Sequence, residues 1–322
     1  MTLPTDYHTL SSTSPRGLRQ YLPPMRLWQK AKRLGVWNPV DIDLTQDKLD
    51  WQGLKAEEQE YLLSICSRFL AGEESVTLDL LPLLKVVAQE GRIEEEMFLT
   101  SFLWEEAKHV EGFRRFFDEV ADEHSDLTRF YSPPFKQIFY DELPRAMNQL
   151  YTDTSVEAQV NASVTYNMII EGVMAETGYY VFSLALTRNN LMPGMQQFVA
   201  NLKRDESRHI AFAVYFLSRL VAEHGDRAWN TIEQRMQYLL PLVQESSQRY
   251  GVSYTIVPFN IDPEETSAYS STQYQKRLER IKKARGQTLD EINNELESLE
   301  SIQDSDTPMD GAVDSNYHAT ID

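Results

Sequence analysis

The sequence predicts an all-α protein, and three observations carry that prediction. From Leu54 onward, long stretches place apolar residues at helical spacing. The breaks between them are short and built largely from Gly, Pro and Asn: "EGR" at 90–92, "YSPPF" at 131–135, "RNNLMPG" at 188–194 and "EHGD" at 223–226. No stretch of this body alternates as a sheet would. Candidate helices run over about 55–89, 92–123, 134–150, 153–187, 194–224 and 227–249. Residues 1–52, rich in Pro, Trp and Tyr without sustained helical periodicity, are expected to form an irregular arm. Residues 53–300 form the helical domain, closing with a charged helix near 270–299. The segment 301–322 is acidic and poor in bulky aliphatics, the composition of a disordered tail. The basic run "KRLERIKKAR", 276–285, is interrupted by Leu278 and Ile281 at helical spacing and reads as a solvated helix face.

Composition narrows the class. With 322 residues, 42% hydrophobic and 25% charged, the chain has the make-up of a soluble globular protein with a sizeable core. A net charge of −18 speaks against nucleic acid as a partner, because phosphate binding needs a positive footprint. Apolar runs fall far short of a membrane span, and the start lacks the basic and apolar regions of a secretory signal, so no transmembrane segment is expected. Cys66 is the only cysteine, which rules out an intrachain disulfide and makes a reducing cytoplasm the simplest setting. It also rules out thiolate clusters, so any metal here takes nitrogen and oxygen ligands.

The chain has six histidines, and two of them lie three residues after a glutamate: Glu106/His109 in "EEAKH" and Glu206/His209 in "RDESRH". Residues three apart share a helical face, with Cβ atoms roughly 5–6 Å apart. Both pairs interrupt an apolar stripe. Phe102, Glu106, His109 and Phe113 share one line, and Leu202, Glu206, His209 and Ala213 share the other. A single such pair is ordinarily a satisfied buried contact. Two further acids sit the same way: Glu73 with Phe69, Val76 and Leu80, and Glu171 with Val164, Met168 and Ala175. Four carboxylates and two imidazoles facing inward from four helices would be severely destabilising if ionised and unpaired. Two divalent cations resolve the conflict. A Glu from each of two helices plus Glu-x-x-His from each of two others is the pattern of ferritin-like di-metal carboxylate bundles, and the expected architecture is such a four-helix core with additional helices. Donor chemistry favours iron or manganese.

On these residues the chain resembles the ribonucleotide reductase small-subunit superfamily over about 60–225. In the common reductase branch a radical-bearing tyrosine lies one helical turn after the first histidine. Here that position is Phe113, which has no hydroxyl. Glu as the first ligand (Glu73), a valine three residues later (Val76) and a tyrosine five before the third ligand (Tyr166) resemble the ribonucleotide-reductase-small-subunit-like ligand-binding oxidases. The resemblance implies one manganese at Glu73, Glu106 and His109 and one iron at Glu171, Glu206 and His209, with bridging carboxylates and di-iron as an alternative loading. It implies O₂ activation, two-electron C–H oxidation, and an ether linking Val76 to Tyr166. It also implies a bound long-chain fatty acid, a homodimer, and an electron donor that the residues do not name. Tyr166 is rotated about 140° from Glu171 on an ideal helix, so reaching the site calls for a π-type bulge. The small residues Gly72, Gly172, Ala175 and Gly178 either make room for the ligand or mark close helix crossings. Asp205 resembles an acid that hydrogen-bonds a ligating histidine. Two other readings stand beside this one: a manganese/iron reductase subunit needing a large catalytic partner, and a non-enzymatic carrier of metal or fatty acid.

Overall fold

The structure, a computed structural model, describes residues 10–251 and 257–294. Among these the regular structure is entirely helical. The core is four long rods: α3 (Ala56–Asp79), α5 (Ile93–Arg115), the continuous rod of α8 (Val156–Ser163), a π segment (Val164–Ala175) and α9 (Glu176–Asn189), and α10 (Pro193–His224). The chain is a ferritin-like bundle with additional helices, as the apolar periodicity predicts. Among the described residues no helix is long and apolar enough to cross a membrane.

Two elements depart from the sequence expectation. The predicted helix over 55–89 divides into α3 and α4 (Leu81–Gln89), because Pro82 has no N–H to continue the ladder and occupies the first turn of the new helix. The N-terminal segment is not irregular: it contains α1 (Pro23–Leu34) and α2 (Thr45–Gly53). The paired prolines read as a turn signal, yet they stand at the first positions of α1, where a missing N–H costs nothing. This segment is tied into the bundle. The buried Asp47 accepts the N–H groups of Gly194 (2.9 Å) and Met195 (2.6 Å), capping α10 from another helix.

The outer helices are α6 (Pro133–Lys136) and α7 (Leu143–Gln149), joined through a second π stretch, then α11 (Asp226–Gly251) and α12 (Pro263–Lys283). The charged helix thus begins and ends earlier than expected. Helix resumes at Leu289 and reaches the end of the described residues, with the cap Thr288 Oγ1 accepting Glu291 N–H at 3.3 Å; 295–299 and the expected tail 301–322 lie outside them. Nor is the basic run wholly solvated. Arg277 is buried, donates to the Gly172 carbonyl and pairs with Glu176 at 2.6 Å, pinning α12 onto the π segment.

Two apolar clusters flank the middle of the bundle. One contains Val76, Phe98, Phe102, Tyr166 and Phe212; the other contains Phe69, Phe113, Tyr179, Phe198 and Leu202. The inward-facing acids and histidines lie at the seam between them.

Candidate metal centre

The structure brings together all six residues that the helical spacing selects. Glu73 comes from α3, Glu106 and His109 from α5, Glu171 from the π segment, and Glu206 and His209 from α10; all are buried. They form two overlapping groups, Glu73–Glu106–His109–Glu206 and Glu106–Glu171–Glu206–His209, in each of which the available ligand atoms lie within 4.8 Å of one another. His109 Nδ1 is 3.3 Å from Glu73, 3.6 Å from Glu106 and 3.4 Å from Glu206. His209 Nδ1 is 2.9 Å from Glu106 and 3.7 Å from Glu206. Glu106 and Glu206 therefore face both positions, and the arrangement is two tetrads sharing two carboxylates rather than two separate triads.

Both imidazoles turn Nδ1 inward and Nε2 outward, each against a carboxylate of the opposite helix. His109 Nε2 lies 3.3 Å from Asp205 on α10, and His209 Nε2 lies 2.9 Å from Glu105 on α5. A proton on Nε2 leaves the Nδ1 lone pair directed into the site, the tautomer a ligand needs. Asp205 also accepts Trp37 Nε1–H at 2.9 Å and Lys108 at 3.0 Å, while Arg208 binds both Asp205 and Glu105 at 2.5 Å. Sequence reasoning found Asp205 and missed Glu105, although each is the acid immediately before a Glu-x-x-His pair. Tyr179 was also missed. Its hydroxyl donates to Glu73 and its ring stacks on Phe69 at 4.5 Å; an apolar-looking "GYY" in a helix offers no local sign of that contact.

The cluster is electrostatically unbalanced by itself. Burial pushes the Glu171 carboxyl well up, and the charges of Glu206 and Glu106 add to it. Glu106 is pushed up to about 7 by burial and by Glu206 and Glu73. Burial also works on Glu73, but its hydrogen bond and charge contact with His109 hold it below the ordinary range. Burial opposes charge on the histidines too. For His109, the hydrogen bonds to Asp205 and Glu73, with the Glu106 carboxylate 3.6 Å away, win, and the ring is held well above its ordinary value. Among the described residues no hydrogen bond reaches either oxygen of Glu106, Glu171 Oε1, Glu206 Oε2 or His209 Nδ1. The last faces Glu106 at 2.9 Å, but off the line of a hydrogen bond. Buried lone pairs aimed at one another are costly unless something positive lies between them. The donor set, carboxylates and imidazole nitrogens without sulfur, fits a pair of divalent iron or manganese ions.

The π segment settles how Tyr166 reaches the site. The extra residue per turn rotates it toward α3, where its hydroxyl donates to the Val76 carbonyl at 3.0 Å in full burial. Asn167 donates to Glu171 Oε2 at 3.0 Å from the same segment. Phe113 stacks on Phe69 at 5.0 Å and meets Phe198 edge-on at 4.9 Å. Of the small residues, Gly178 is a close crossing, since a Cβ there would meet Phe69 at 2.7 Å; Gly172 is another, pressed by Asn167 and Arg277. Gly72 is different: a Cβ would make only ordinary contact with Phe139, at 3.6 Å.

This geometry defines a class, the di-metal carboxylate bundles, and the comparisons place the chain within it. The chain matches the ribonucleotide reductase small-chain family over residues 23–284, and it belongs to that family. Solved structures that it resembles include R2-like ligand-binding oxidases. One, a valine-to-leucine variant with an anaerobically reconstituted Mn/Fe cofactor, is 38% identical with a TM-score of 0.80, covering 85% of this chain and 98% of that chain. Another, with an aerobically reconstituted Mn/Fe cofactor, is 38% identical with a TM-score of 0.78 over the same shares, 85% and 98%. A glycine-to-leucine variant with a non-activated Mn/Mn cofactor, also 38% identical and covering 85% and 98%, has a TM-score of 0.80.

Proposed function

We propose that the protein is an O₂-dependent oxidase holding one manganese and one iron ion, with di-iron as the alternative loading, and that it oxidises a C–H bond by two electrons beside a bound long-chain fatty acid. The observation that carries this reading is the buried contact of Tyr166 with Val76, one helical turn from Glu73. It occurs in a chain that belongs to the ribonucleotide reductase small-chain family and is similar to solved R2-like ligand-binding oxidases with Mn/Fe cofactor. Glu73, Glu106 and His109 would hold manganese and Glu171, Glu206 and His209 iron, with Glu106 and Glu206 reaching both. When bound, the two ions would activate O₂ and supply it with one electron each.

The chain's own residues supply the rest. Forming the ether removes the Tyr166 phenolic hydrogen and the Val76 Cβ hydrogen, that is, two protons and two electrons. Those electrons, with one from each ion, are the four that take O₂ to water, and solvent supplies the other two protons. Tyr166 is held for this by its hydrogen bond to the Val76 carbonyl, and Phe102 lies edge-on to its ring at 6.0 Å. Burial pushes the Tyr166 hydroxyl well up, so the phenol keeps its proton until it is oxidised. The enclosing apolar clusters exclude water, which strengthens every charge interaction inside. On the side of Glu73, Gly72 presents no side chain, and a Cβ there would come into ordinary contact with Phe139. A homodimer is proposed on the family resemblance and is checked by sedimentation.

The test loads metal-free protein with manganous and ferrous ions without oxygen, then admits air to one half. Both halves are digested and the peptides containing Val76 and Tyr166 weighed. They are expected joined, two hydrogens lighter, in the aerated half only. Separate peptides with oxidised metals would sink the oxidase reading and leave the reductase-like one. An absence of any oxygen-dependent optical change would favour a carrier.

A further inference from the structure

We propose that Glu105 and Asp205 make the two halves of the centre unequal, and that Glu105 marks the His209 half for iron. The inference rests on the di-metal reading above and concerns how the chain tells two chemically similar ions apart.

The two outer carboxylates look equivalent in sequence and are not equivalent in space. Asp205 Oδ2 is crowded: it accepts Trp37 Nε1–H at 2.9 Å, the Lys108 ammonium at 3.0 Å and His109 Nε2 at 3.3 Å. Its other oxygen binds Arg208 at 2.5 Å. Glu105 gives Oε1 to the same Arg208 nitrogen at 2.5 Å and keeps Oε2 for His209 alone, at 2.9 Å. Asp205 thus shares its charge with an ammonium through the very oxygen that His109 uses, and with half a guanidinium through the other. Lys108 acts on Glu105 through charge without a hydrogen bond, and among the described residues the Glu105 oxygen facing His209 has one donor. Both carboxylates are fully buried, so water does not level the difference.

A carboxylate on the far side of a ligating imidazole makes that imidazole a stronger donor, typically changing metal affinity 10–100-fold. The shorter, unshared bond makes His209 the stronger donor of the two. Iron gains more than manganese from a stronger nitrogen donor, following the general affinity order of divalent metals. The His209 half therefore selects iron, and the weakened His109 half leaves room for manganese. The turn after α1 maintains the asymmetry. It brings Trp37 to Asp205, and the Gly35 carbonyl takes a hydrogen bond from Lys108 at 2.7 Å. Gly35 also has no space for a side chain, since a Cβ there would collide with Glu105. Glu105, Asp205 and Lys108 are in this sense positioning residues.

The experiment loads wild type, Glu105→Gln and Lys108→Met without oxygen from equimolar manganous and ferrous ions. It then reads the occupancy of each position by anomalous diffraction at the manganese and iron edges. Glu105→Gln keeps an acceptor but removes the charge; iron preference at the His209 position is expected to fall about tenfold. Lys108→Met touches none of the six candidate ligands and relieves the Asp205 oxygen; iron at the His109 position is expected to rise several-fold. Two variants loading as wild type does, with two ions per chain, would overturn the inference and leave the di-metal reading standing. Wild type binding fewer than two ions per chain would overturn that reading, and this inference with it. Should Glu105→Gln fail to fold, the opposite shift expected of Lys108→Met decides the matter.

Discussion

Replacing Glu106 by Gln in metal-free protein should stabilise it, and the same substitution should destabilise the metal-loaded form. Glu106 is fully buried, and its carboxyl is moved from an ordinary 4.5 to about 7 by burial and by the charges of Glu206 and Glu73. In the unfolded chain the group ionises near 4.5, in the folded protein near 7. Between those values the unfolded state gives up the proton first, so stability falls as pH rises, and the loss is complete by about pH 8. Keeping the ionised carboxylate in place then costs about 3 kcal/mol, at 1.36 kcal/mol for each tenfold change in proton affinity. Glutamine has nearly the same shape and no charge. Metal-free Glu106→Gln should therefore melt about 6 °C above wild type at pH 8, at ~2 °C per kcal/mol for a chain of this size, with the gap closing toward pH 4.5. Loading reverses the order. Wild type gains roughly 2.7 kcal/mol for each ion present at a hundred times its dissociation constant, whereas the variant has lost a carboxylate that faces both positions. The assay is a melting series with a chelator and with manganous ion, at pH 5 and 8. A metal-free variant less stable than wild type at pH 8 would refute the reasoning, since it would mean that ordinary ion pairs already satisfy Glu106.

Other consequences are independent of the metals. Burial alone drives the Asp79 carboxyl, in the last turn of α3, up to about 6; Asp79→Asn should gain roughly 1–2 kcal/mol at pH 8 and progressively less as pH falls through 6, read by denaturant unfolding at the two pH values. Gly178→Ala places a Cβ 2.7 Å from the Phe69 ring; it should lose about 1–3 kcal/mol by overpacking, measured by thermal melting. Arg277→Gln takes the guanidinium from the Gly172 carbonyl and from Glu176; about 2 kcal/mol should be lost, with faster amide exchange over 164–175. Unchanged exchange there would mean that α12 merely lies over the π segment.

What the sequence shows and what it hides divide along a physical line. The pairs Glu106/His109 and Glu206/His209 are legible because a spacing of three is written within one helix and the apolar neighbours declare which face is inside. Glu73 and Glu171 follow by the same rule. Tyr166 is legible only on condition that the helix departs from ideal pitch, and the π segment over Val164–Ala175 meets that condition. The helices of the N-terminal segment stay hidden because Pro23 and Pro24 carry two opposite meanings, a stop or a first turn, and only packing distinguishes them. The basic run hides Arg277 for a related reason: a charge pattern predicts solvent exposure on average and is silent about one arginine reaching a carbonyl freed by an irregular helix.

Glu105 and Asp205 are the sharpest case. Each stands one residue, about 100° of helical rotation, from an inward-facing glutamate, a direction that on an isolated helix points along the flank. In a bundle, the flank of α5 at that height is the back of His209, and the flank of α10 is the back of His109. Hydrogen bonds between helices leave no period in either sequence, because the partner's register is set by packing along the whole rod. The adjacent acids do leave a chemical trace. A carboxylate beside an already crowded cluster raises its energy unless it holds something in place, and here each holds the imidazole of the facing helix. Acids that seem redundant within one helix are therefore where the contribution of the neighbouring helix should be sought.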